Sequence, residues 1–157
     1  MIIRLMTNED LPYVLALEKV LYKSPWNEQN FKDELENNRF SYLFVLTEND
    51  VVFGYYGMWI IGDYATITKV SIAPELQSKG LGSILMQDLI KRCEQADVVT
   101  IDLEVRESNL HAIGLYQHFD FQSASIRKNY YSDGENAILM IKKMKGTDPY
   151  ERIHLGN

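Results

Sequence analysis

The sequence Gln77-Ser78-Lys79-Gly80-Leu81-Gly82 stands between two segments with different hydrophobic periods. Before it, an apolar run from Ile67 to Ala73 ends at Pro74 and is typical of a buried strand. After it, apolar residues recur at helical spacing from Leu81 to about Ala96. The pattern therefore predicts a strand, a loop that contains two glycines, and a helix, in that order.

The loop has the properties of a phosphate-binding site. Gly80 and Gly82 have no Cβ atom, so a ligand can approach their backbone closely. The first turn of the following helix carries N–H groups without an intrahelical partner, and the helix dipole adds positive potential. Because the loop lacks the lysine and hydroxyl pair that holds a nucleoside triphosphate with magnesium, a diphosphate held by backbone amides is favoured. An ordinary helix start, with glycine serving close packing, stays open as the alternative.

Length and composition exclude several classes of protein. The 157 residues suit one domain, and we predict a single domain over residues 1–145 with a polar tail over residues 146–157. One cysteine excludes an intramolecular disulfide and, with only three histidines, argues against a metal site. The net charge of −6 argues against nucleic-acid binding and favours a cationic substrate.

Cellular location and assembly are expectations of the same kind. No signal peptide is recognised at the N-terminus, and no apolar run approaches the roughly 20 residues that span a bilayer. The low cysteine content fits a reducing compartment. We therefore expect a cytoplasmic protein, without membrane contact, that is a monomer or a weak dimer.

Hydrophobic periodicity predicts the remaining elements. One helix begins after Thr7 and breaks at Ser24-Pro25-Trp26, and the others lie at about 27–37, 81–96 and 110–118. Strands are expected at 2–6, 41–47, 51–60, 64–73, 99–106, 121–131 and 137–142. In the strand over 64–73, the apolar residues change face between Ile67 and Val70, so a β-bulge is expected near Thr68-Lys69. The order of elements predicts a mixed α/β sheet, mostly antiparallel, with helices on both faces.

Several side chains have both a structural and a chemical interpretation. Glu104 and Asp102 share the polar face of the strand over 99–106, where spacing alone favours a solvated or ion-paired role. Tyr116 is either a core tyrosine or a hydroxyl donor. Trp26 is most simply a core residue between two helices, with one wall of a substrate groove as the alternative. Cys93 lies on an apolar helical stripe and is expected to be a core residue rather than a nucleophile.

Two segments together carry a family resemblance. They are Ile72 to Gly82 and Leu103-Glu104-Val105-Arg106-Glu107-Ser108-Asn109, the latter followed by Ala112 and Leu115-Tyr116. These segments resemble the GNAT superfamily of acetyl-CoA-dependent N-acetyltransferases. With Ser24-Pro25-Trp26 and Asn129-Tyr130-Tyr131, the chain up to about Lys143 is similar to the RimI family of ribosomal-protein alanine N-acetyltransferases.

The chain departs from this family at one turn. Such proteins commonly have Leu-Gly-Phe at the end of the helix that bears the tyrosine, where this chain has Phe119-Asp120-Phe121. Because Asp120 tolerates a left-handed backbone better than most non-glycine residues, the turn is expected to persist.

The resemblance implies the acyl-CoA N-acyltransferase fold, acetyl-CoA as cofactor without a metal, and the N-terminus of a protein as acceptor. The acceptor would be a small-subunit ribosomal protein that begins with alanine. Glu104 would be the general base and Tyr116 the general acid, with Asn109 beside the pantetheine or the tyrosine. Trp26, Tyr130 and Tyr131 would line the peptide groove. Cofactor contacts are expected from Val70, Ser71, Ile72, Gln77, Ser78, Lys79, Gly80, Leu81, Gly82, Ser83, Asn109 and Tyr116.

The chemistry of such a transfer matches these residue types. An α-amino group has a pKa of about 7.7–8.0, far below the pKa of about 10.4 of a lysine side chain, so one carboxylate suffices to deprotonate it. A positioned hydroxyl can protonate the leaving thiolate, and a backbone N–H near Val70 or Ser71 can meet the thioester oxygen. Two alternatives stay open: an acetyltransferase for a small amine such as a polyamine or amino sugar, and a non-catalytic acyl-CoA sensor.

Overall fold

The computed structural model describes residues 1–144. Within these residues, unit 1 comprises 1–60 and 67–91, and unit 2 comprises 61–66 and 92–144. The predicted tail over 146–157 lies outside the described residues. Within the described part of the chain, no helix is both long enough and apolar enough to cross a membrane.

The observed elements follow the predicted order. The strands are β1 (Ile2–Leu5), β2 (Ser41–Glu48), β3 (Val51–Ile61), β4 (Tyr64–Ile72), β5 (Thr100–Arg106), β6 (Gln122–Arg127) and β7 (Ala137–Lys143). The helices are α1 (Leu11–Leu21), α2 (Glu28–Lys32), α3 (Leu81–Gln95) and α4 (Leu110–His118). Short 3₁₀ turns at Asn8–Asp10 and Pro74–Leu76 precede α1 and α3, and a π-helical turn at Asp33–Asn37 follows α2.

The strands are hydrogen-bonded in the order β1-β2-β3-β4-β5-β7-β6. The pairs β1–β2, β2–β3, β5–β7 and β6–β7 are antiparallel. Asp63, just before β4, accepts hydrogen bonds from the amides of Val99 and Thr100 at the start of β5. The two strands therefore begin side by side and run parallel, which confirms the mixed, mostly antiparallel sheet.

Two adjacent tyrosines show that helices cover both faces of the sheet in unit 1. Successive strand residues point to opposite faces. The Tyr55 hydroxyl donates to Glu18 of α1, whereas the Tyr56 hydroxyl donates to Asp88 of α3 at 2.6 Å. The α1 side holds a hydrophobic core composed of Met6, Leu11, Val14, Phe31, Leu43, Val45, Val52 and Tyr55.

The predicted change of face in β4 is wrong. Burial alternates without interruption from Ala65 through Ile67 and Lys69 to Ser71, so one face stays inside along this stretch. The prediction failed because it placed Lys69 and Ser71 outside on account of their polarity. Both side chains are buried and carry hydrogen bonds that compensate for the lost hydration.

The strand predicted over residues 121–131 is shorter than expected. β6 ends at Arg127, and the chain then turns through Asn129, at φ +52°, and Gly134, at φ +87°, before β7. The predicted hairpin of these two strands is confirmed. β6 contains one register shift, at which Ala124 has no partner between the pairs Ser123–Met140 and Ser125–Leu139.

Candidate active site

The glycine loop of unit 1 connects the end of β4 to the start of α3. The Gln77 side chain donates to the carbonyl of Ile72 at 3.1 Å, which ties the loop to the end of the strand. Ser78 and Gly80 have left-handed backbones, with φ of +64° and +83°. A Cβ atom at Gly80 would meet nothing within 4 Å, so glycine serves the backbone conformation there rather than packing inside the protein.

The start of α3 leaves donors for an anion. The helix begins at Leu81, and the first intrahelical-type bond runs from the Ile84 amide to the Gly80 carbonyl at 3.2 Å. The amides of Leu81, Gly82 and Ser83 belong to the first turn and have no intrahelical acceptor. Together with the helix dipole, they form a group of donors with the chemistry that phosphate requires.

The end of β4 lies directly against β3. The backbone of Ser71 and Ile72 passes so close to Gly54 that a Cβ atom there would lie 2.7 Å from the Ser71 carbonyl oxygen. The Ser71 hydroxyl shares a hydrogen bond of 2.5 Å with the Tyr22 hydroxyl. Burial raises the pKa of Tyr22 to about 12. The β4 segment with Val70, Ser71 and Ile72 is therefore held by contacts on both its backbone and its side chains.

Trp26 is half-buried between α1 and α2. Its ring lies 5.2 Å from the Phe31 ring, edge to face, and it packs against the core cluster of unit 1. Its amide donates to Glu18 Oε1 at 2.9 Å. These contacts support the structural interpretation of Trp26, although the residue as a whole stays partly exposed.

Unit 2 brings the predicted base into contact with a predicted acceptor residue. Glu104 Oε1 lies 3.1 Å from Arg127 Nε, and the Tyr130 hydroxyl interacts with the same carboxylate. This interaction with Glu104 is the main reason that the pKa of Tyr130 is raised. Glu104 Oε2 is buried and has no hydrogen-bond partner among the described residues. One oxygen of the carboxylate is thus paired, and the other is free to accept a proton or a hydrogen bond.

Asp102, the second candidate base, has different neighbours. Tyr64 at the start of β4 donates to its Oδ2 at 2.6 Å, and this bond raises the pKa of Tyr64 to about 12. Asp102 Oδ1 is also buried without a partner in the described chain. Both carboxylates keep one unpaired oxygen, but only Glu104 touches a side chain predicted to line the acceptor groove.

The predicted acid lies inside unit 2. Tyr116 of α4 is 8% exposed, and its ring lies 6.0 Å from the Phe121 ring. Asn109 caps α4, since its Oδ1 accepts the Ala112 amide at 3.2 Å. Asp120 adopts the left-handed conformation at φ +69°, which confirms that the turn persists without glycine.

The two tyrosines after β6 are held by charged residues that sequence reasoning did not single out. Their rings lie 5.1 Å apart, edge to face, and 51% of Tyr130 is exposed. The Arg106 guanidinium lies 4.0 Å from the centre of the Tyr131 ring and forms ion pairs of 2.9 Å with Asp133 and Glu135. Sequence reasoning could have found Arg106, because alternation places it on the same polar face of β5 as Glu104.

The core role predicted for Cys93 is confirmed. The side chain is fully buried in α3, and burial raises the pKa of its thiol to about 12. A thiol in this environment stays protonated at neutral pH and is a poor nucleophile. Among residues 1–144, no group of three His, Cys, Asp or Glu side chains is arranged to hold a metal ion.

Comparison with known proteins identifies the family of this chain. The sequence model of the acetyltransferase (GNAT) family matches residues 11–121. The [ribosomal protein bS18]-alanine N-acetyltransferase of Escherichia coli (strain K12) is 38% identical over 135 residues, which cover 83% of this chain and 89% of the relative. A Bacillus subtilis (strain 168) protein, whose name gives the same activity provisionally, is 39% identical over 88% of this chain and 92% of its own length.

Solved structures agree with the sequence relatives. The crystal structure of the ribosomal-protein-S18-alanine N-acetyltransferase from Escherichia coli superposes with a TM-score of 0.83 and 34% identity. The match covers 95% of this chain and 98% of that one. Family model, sequence relatives and fold coincide over most of the chain, which therefore belongs to the acetyltransferase (GNAT) family and is an acetyltransferase enzyme.

Proposed function

We propose that the enzyme transfers the acetyl group of acetyl-CoA to the N-terminal α-amino group of a small-subunit ribosomal protein that begins with alanine. The observation that carries this proposal is the identity of 38–39% to the two relatives whose names give that reaction, over at least 83% of the chain. With a ribosomal-protein acceptor, the proposed setting is the cytoplasm.

The loop and the start of α3 are proposed to bind the cofactor. Left-handed Ser78 and Gly80 shape the backbone, and the first amides of α3 supply donors for the pyrophosphate. Lys79 is exposed in the same loop and adds a positive charge. Because the whole chain carries a net charge of −6, such local donors have to hold the anionic cofactor.

Glu104 is the proposed general base. Its unpaired Oε2 can accept a proton from the acceptor amine, directly or through a water, while Arg127 and Tyr130 hold the carboxylate in place. Asp102 is the runner-up, and its bond to Tyr64 gives it a separate structural role at the start of β5.

The proposed reaction is a direct transfer from acetyl-CoA to the amine. The deprotonated amine attacks the thioester carbonyl, and a backbone N–H near Val70 or Ser71 stabilises the charge on the oxygen. The carbon–sulfur bond then breaks, and the sulfur takes a proton from the Tyr116 hydroxyl. Glu104 holds the proton removed from the ammonium group, and the second proton, which the nitrogen loses as the amide forms, restores the Tyr116 hydroxyl. Because the amine attacks the thioester directly, no acetylated enzyme forms.

The acceptor side is proposed to consist of aromatic residues. Tyr130 and Tyr131 in unit 2 and the exposed part of Trp26 in unit 1 offer flat surfaces, which suit an extended peptide. The contact between Tyr130 and Glu104 would bring a peptide bound at this tyrosine close to the base.

Release of CoA thiol tests the acceptor. The substrates are a short peptide that starts Ala-Arg, the same peptide blocked at its N-terminus but containing an internal lysine, and spermidine. We expect turnover on the free N-terminus alone. Turnover confined to spermidine would overturn the protein acceptor, and turnover confined to the blocked peptide would replace it with a lysine side chain.

Three variants test the residue roles. Glu104→Gln and Tyr116→Phe should each lower kcat by about 10²–10⁴-fold, since each removes one proton-transfer group. Asp102→Asn is the matched control, with the same change two residues away on the same strand face, and should keep most activity. Equal losses in Asp102→Asn and Glu104→Gln would show that Glu104 has no special role.

A further inference from the structure

A pair of opposite charges, Glu18 and Lys69, is buried in unit 1 and has no part in the proposed proton transfer. Glu18 of α1 is fully buried, and Lys69 of β4 is only 9% exposed. Lys69 Nζ donates to Glu18 Oε1 at 2.8 Å. Because an apolar pair of similar volume is often at least as stable as a buried ion pair, stability alone does not account for these two charges.

The Glu18 carboxylate collects donors from three different segments. Oε1 accepts both Lys69 Nζ and the Trp26 amide, and Oε2 accepts the Tyr55 hydroxyl of β3. Glu18 therefore connects α1 to the segment between α1 and α2 and to two neighbouring strands. The backbone at Trp26 is thus one of the groups that this carboxylate holds.

The Lys69 ammonium lies between two aromatic rings. It is 4.3 Å from the centre of the Tyr22 ring and 4.3 Å from the centre of the Trp26 ring. Cation–π attraction is strongest at such desolvated positions. The Tyr22 hydroxyl reaches Ser71, the next inward-facing residue of β4. Lys69 and Ser71 thus hold both aromatic residues that flank the connection between α1 and α2.

We propose that Lys69 and Glu18 are positioning residues that orient Trp26, and thereby set the affinity of the enzyme for its peptide acceptor. This inference rests on the proposed function, because Trp26 belongs to the proposed acceptor surface. The pair acts through Trp26: its backbone is fixed by Glu18, and its ring by the Lys69 ammonium.

Lys69 does not fit a catalytic role. Its Nζ is enclosed by Glu18, Tyr22 and Trp26, so an acyl group has no path to it in this structure. Burial lowers the pKa of Lys69, while the adjoining Glu18 carboxylate acts in the opposite direction and favours the charged form. The charged form is the one that attracts both rings.

The test replaces both charges together, since Lys69→Met alone leaves a buried unpaired carboxylate and can prevent folding. The double variant Glu18→Gln/Lys69→Met keeps side chains of similar length. We expect a folded protein with an unchanged KM for acetyl-CoA, a kcat within about twofold of wild type and an acceptor KM raised about tenfold. The single variant Lys69→Arg keeps the cation, so its acceptor KM should lie between that of wild type and that of the double variant.

A control uses another ion pair of unit 1, in which the Asp10 side chain is buried and the Arg4 side chain is partly exposed. Arg4 and Asp10 are joined at 2.8 Å near β1, and within residues 1–144 neither has a hydrogen bond or ring contact with Trp26 or Tyr22. Arg4→Met/Asp10→Asn removes the same number of charges and should leave the acceptor KM unchanged. If both double variants raise the acceptor KM equally, the effect is general destabilisation and the proposal is wrong.

A second readout does not depend on turnover. The chain has two tryptophans, so a Trp59→Phe background leaves Trp26 as the only indole fluorophore. Glu18→Gln/Lys69→Met should increase acrylamide quenching of Trp26, and the Arg4/Asp10 control should not. Unchanged quenching would overturn the positioning role, whereas a wild type inactive on the peptide but with the expected quenching would overturn only the proposed acceptor.

Discussion

The close approach of β3 to β4 at Gly54 allows a quantitative test of the sheet. Gly54→Ala would place a Cβ atom 2.7 Å from the Ser71 carbonyl oxygen and 2.8 Å from Ile72 Cδ1, well inside the 3.4 Å of ordinary contact. The Ile72 side chain can rotate away, but the Ser71 carbonyl moves only with the backbone of β4. Overpacking of this kind costs about 1–3 kcal/mol, and each kcal/mol lowers the Tm of a chain of this size by about 2–4 °C, so we expect a Tm lower by about 2–12 °C.

Gly114 in α4 is the matched control for the same substitution. A Cβ atom there meets nothing within 4 Å, and the residue is helical, so Gly114→Ala should stabilise the protein by about 0.8–1.0 kcal/mol. Thermal and urea unfolding of both variants beside wild type measure the two effects. The reasoning is refuted if Gly54→Ala is as stable as wild type, or if both variants shift in the same direction.

Three further predictions use single positions. Because the folded Cys93 thiol has a pKa of about 12 and the unfolded thiol 9.0, its contribution to stability is complete below pH 9 and falls as pH rises toward 12. Between pH 8 and pH 10.5, wild type should lose about 2 kcal/mol more than Cys93→Ala in urea titrations, and equal losses would contradict the raised pKa. Gly80→Ala places a Cβ atom on a backbone at φ +83°, so we expect a stability loss of about 1–2 kcal/mol and, by calorimetry, weaker acetyl-CoA binding. Wild-type stability and affinity would exclude backbone strain at this position. Asp120→Gly removes the side chain from a backbone at φ +69° and should raise the free energy of unfolding by about 0.5 kcal/mol, which appears as a higher urea midpoint. A lower midpoint would contradict backbone strain at this position.

The fold was predictable from hydrophobic periodicity because most elements bury one regular face. Alternation in β5 and the helical stripe of α3 located both elements to within a residue or two. Periodicity failed in β4, where Lys69 and Ser71 occupy buried positions. No local pattern in the sequence indicates that Glu18 and Tyr22, about 50 residues earlier, form hydrogen bonds with these two polar side chains.

The candidate site was predictable in residue type but not in its contacts. Glu104 and Tyr130 were assigned separately, as base and acceptor residue, and the structure joins them. Arg127 was not singled out, because an arginine at the end of an exposed strand has no distinguishing spacing. Its ion pair with Glu104 depends on how β6 pairs with β7, which brings it to a position that sequence separation does not indicate.

The register shift in β6 has a consequence for self-association. Among the described strands, β6 is the last in the order, and all its residues are exposed. An exposed edge strand that is long and regular is a template for pairing with another polypeptide and hence for aggregation. The unpaired Ala124 interrupts the edge at its middle, leaving only short runs on either side. Because of this irregularity, β6 does not offer a second chain the continuous hydrogen-bonding ladder that intermolecular β-sheet growth requires.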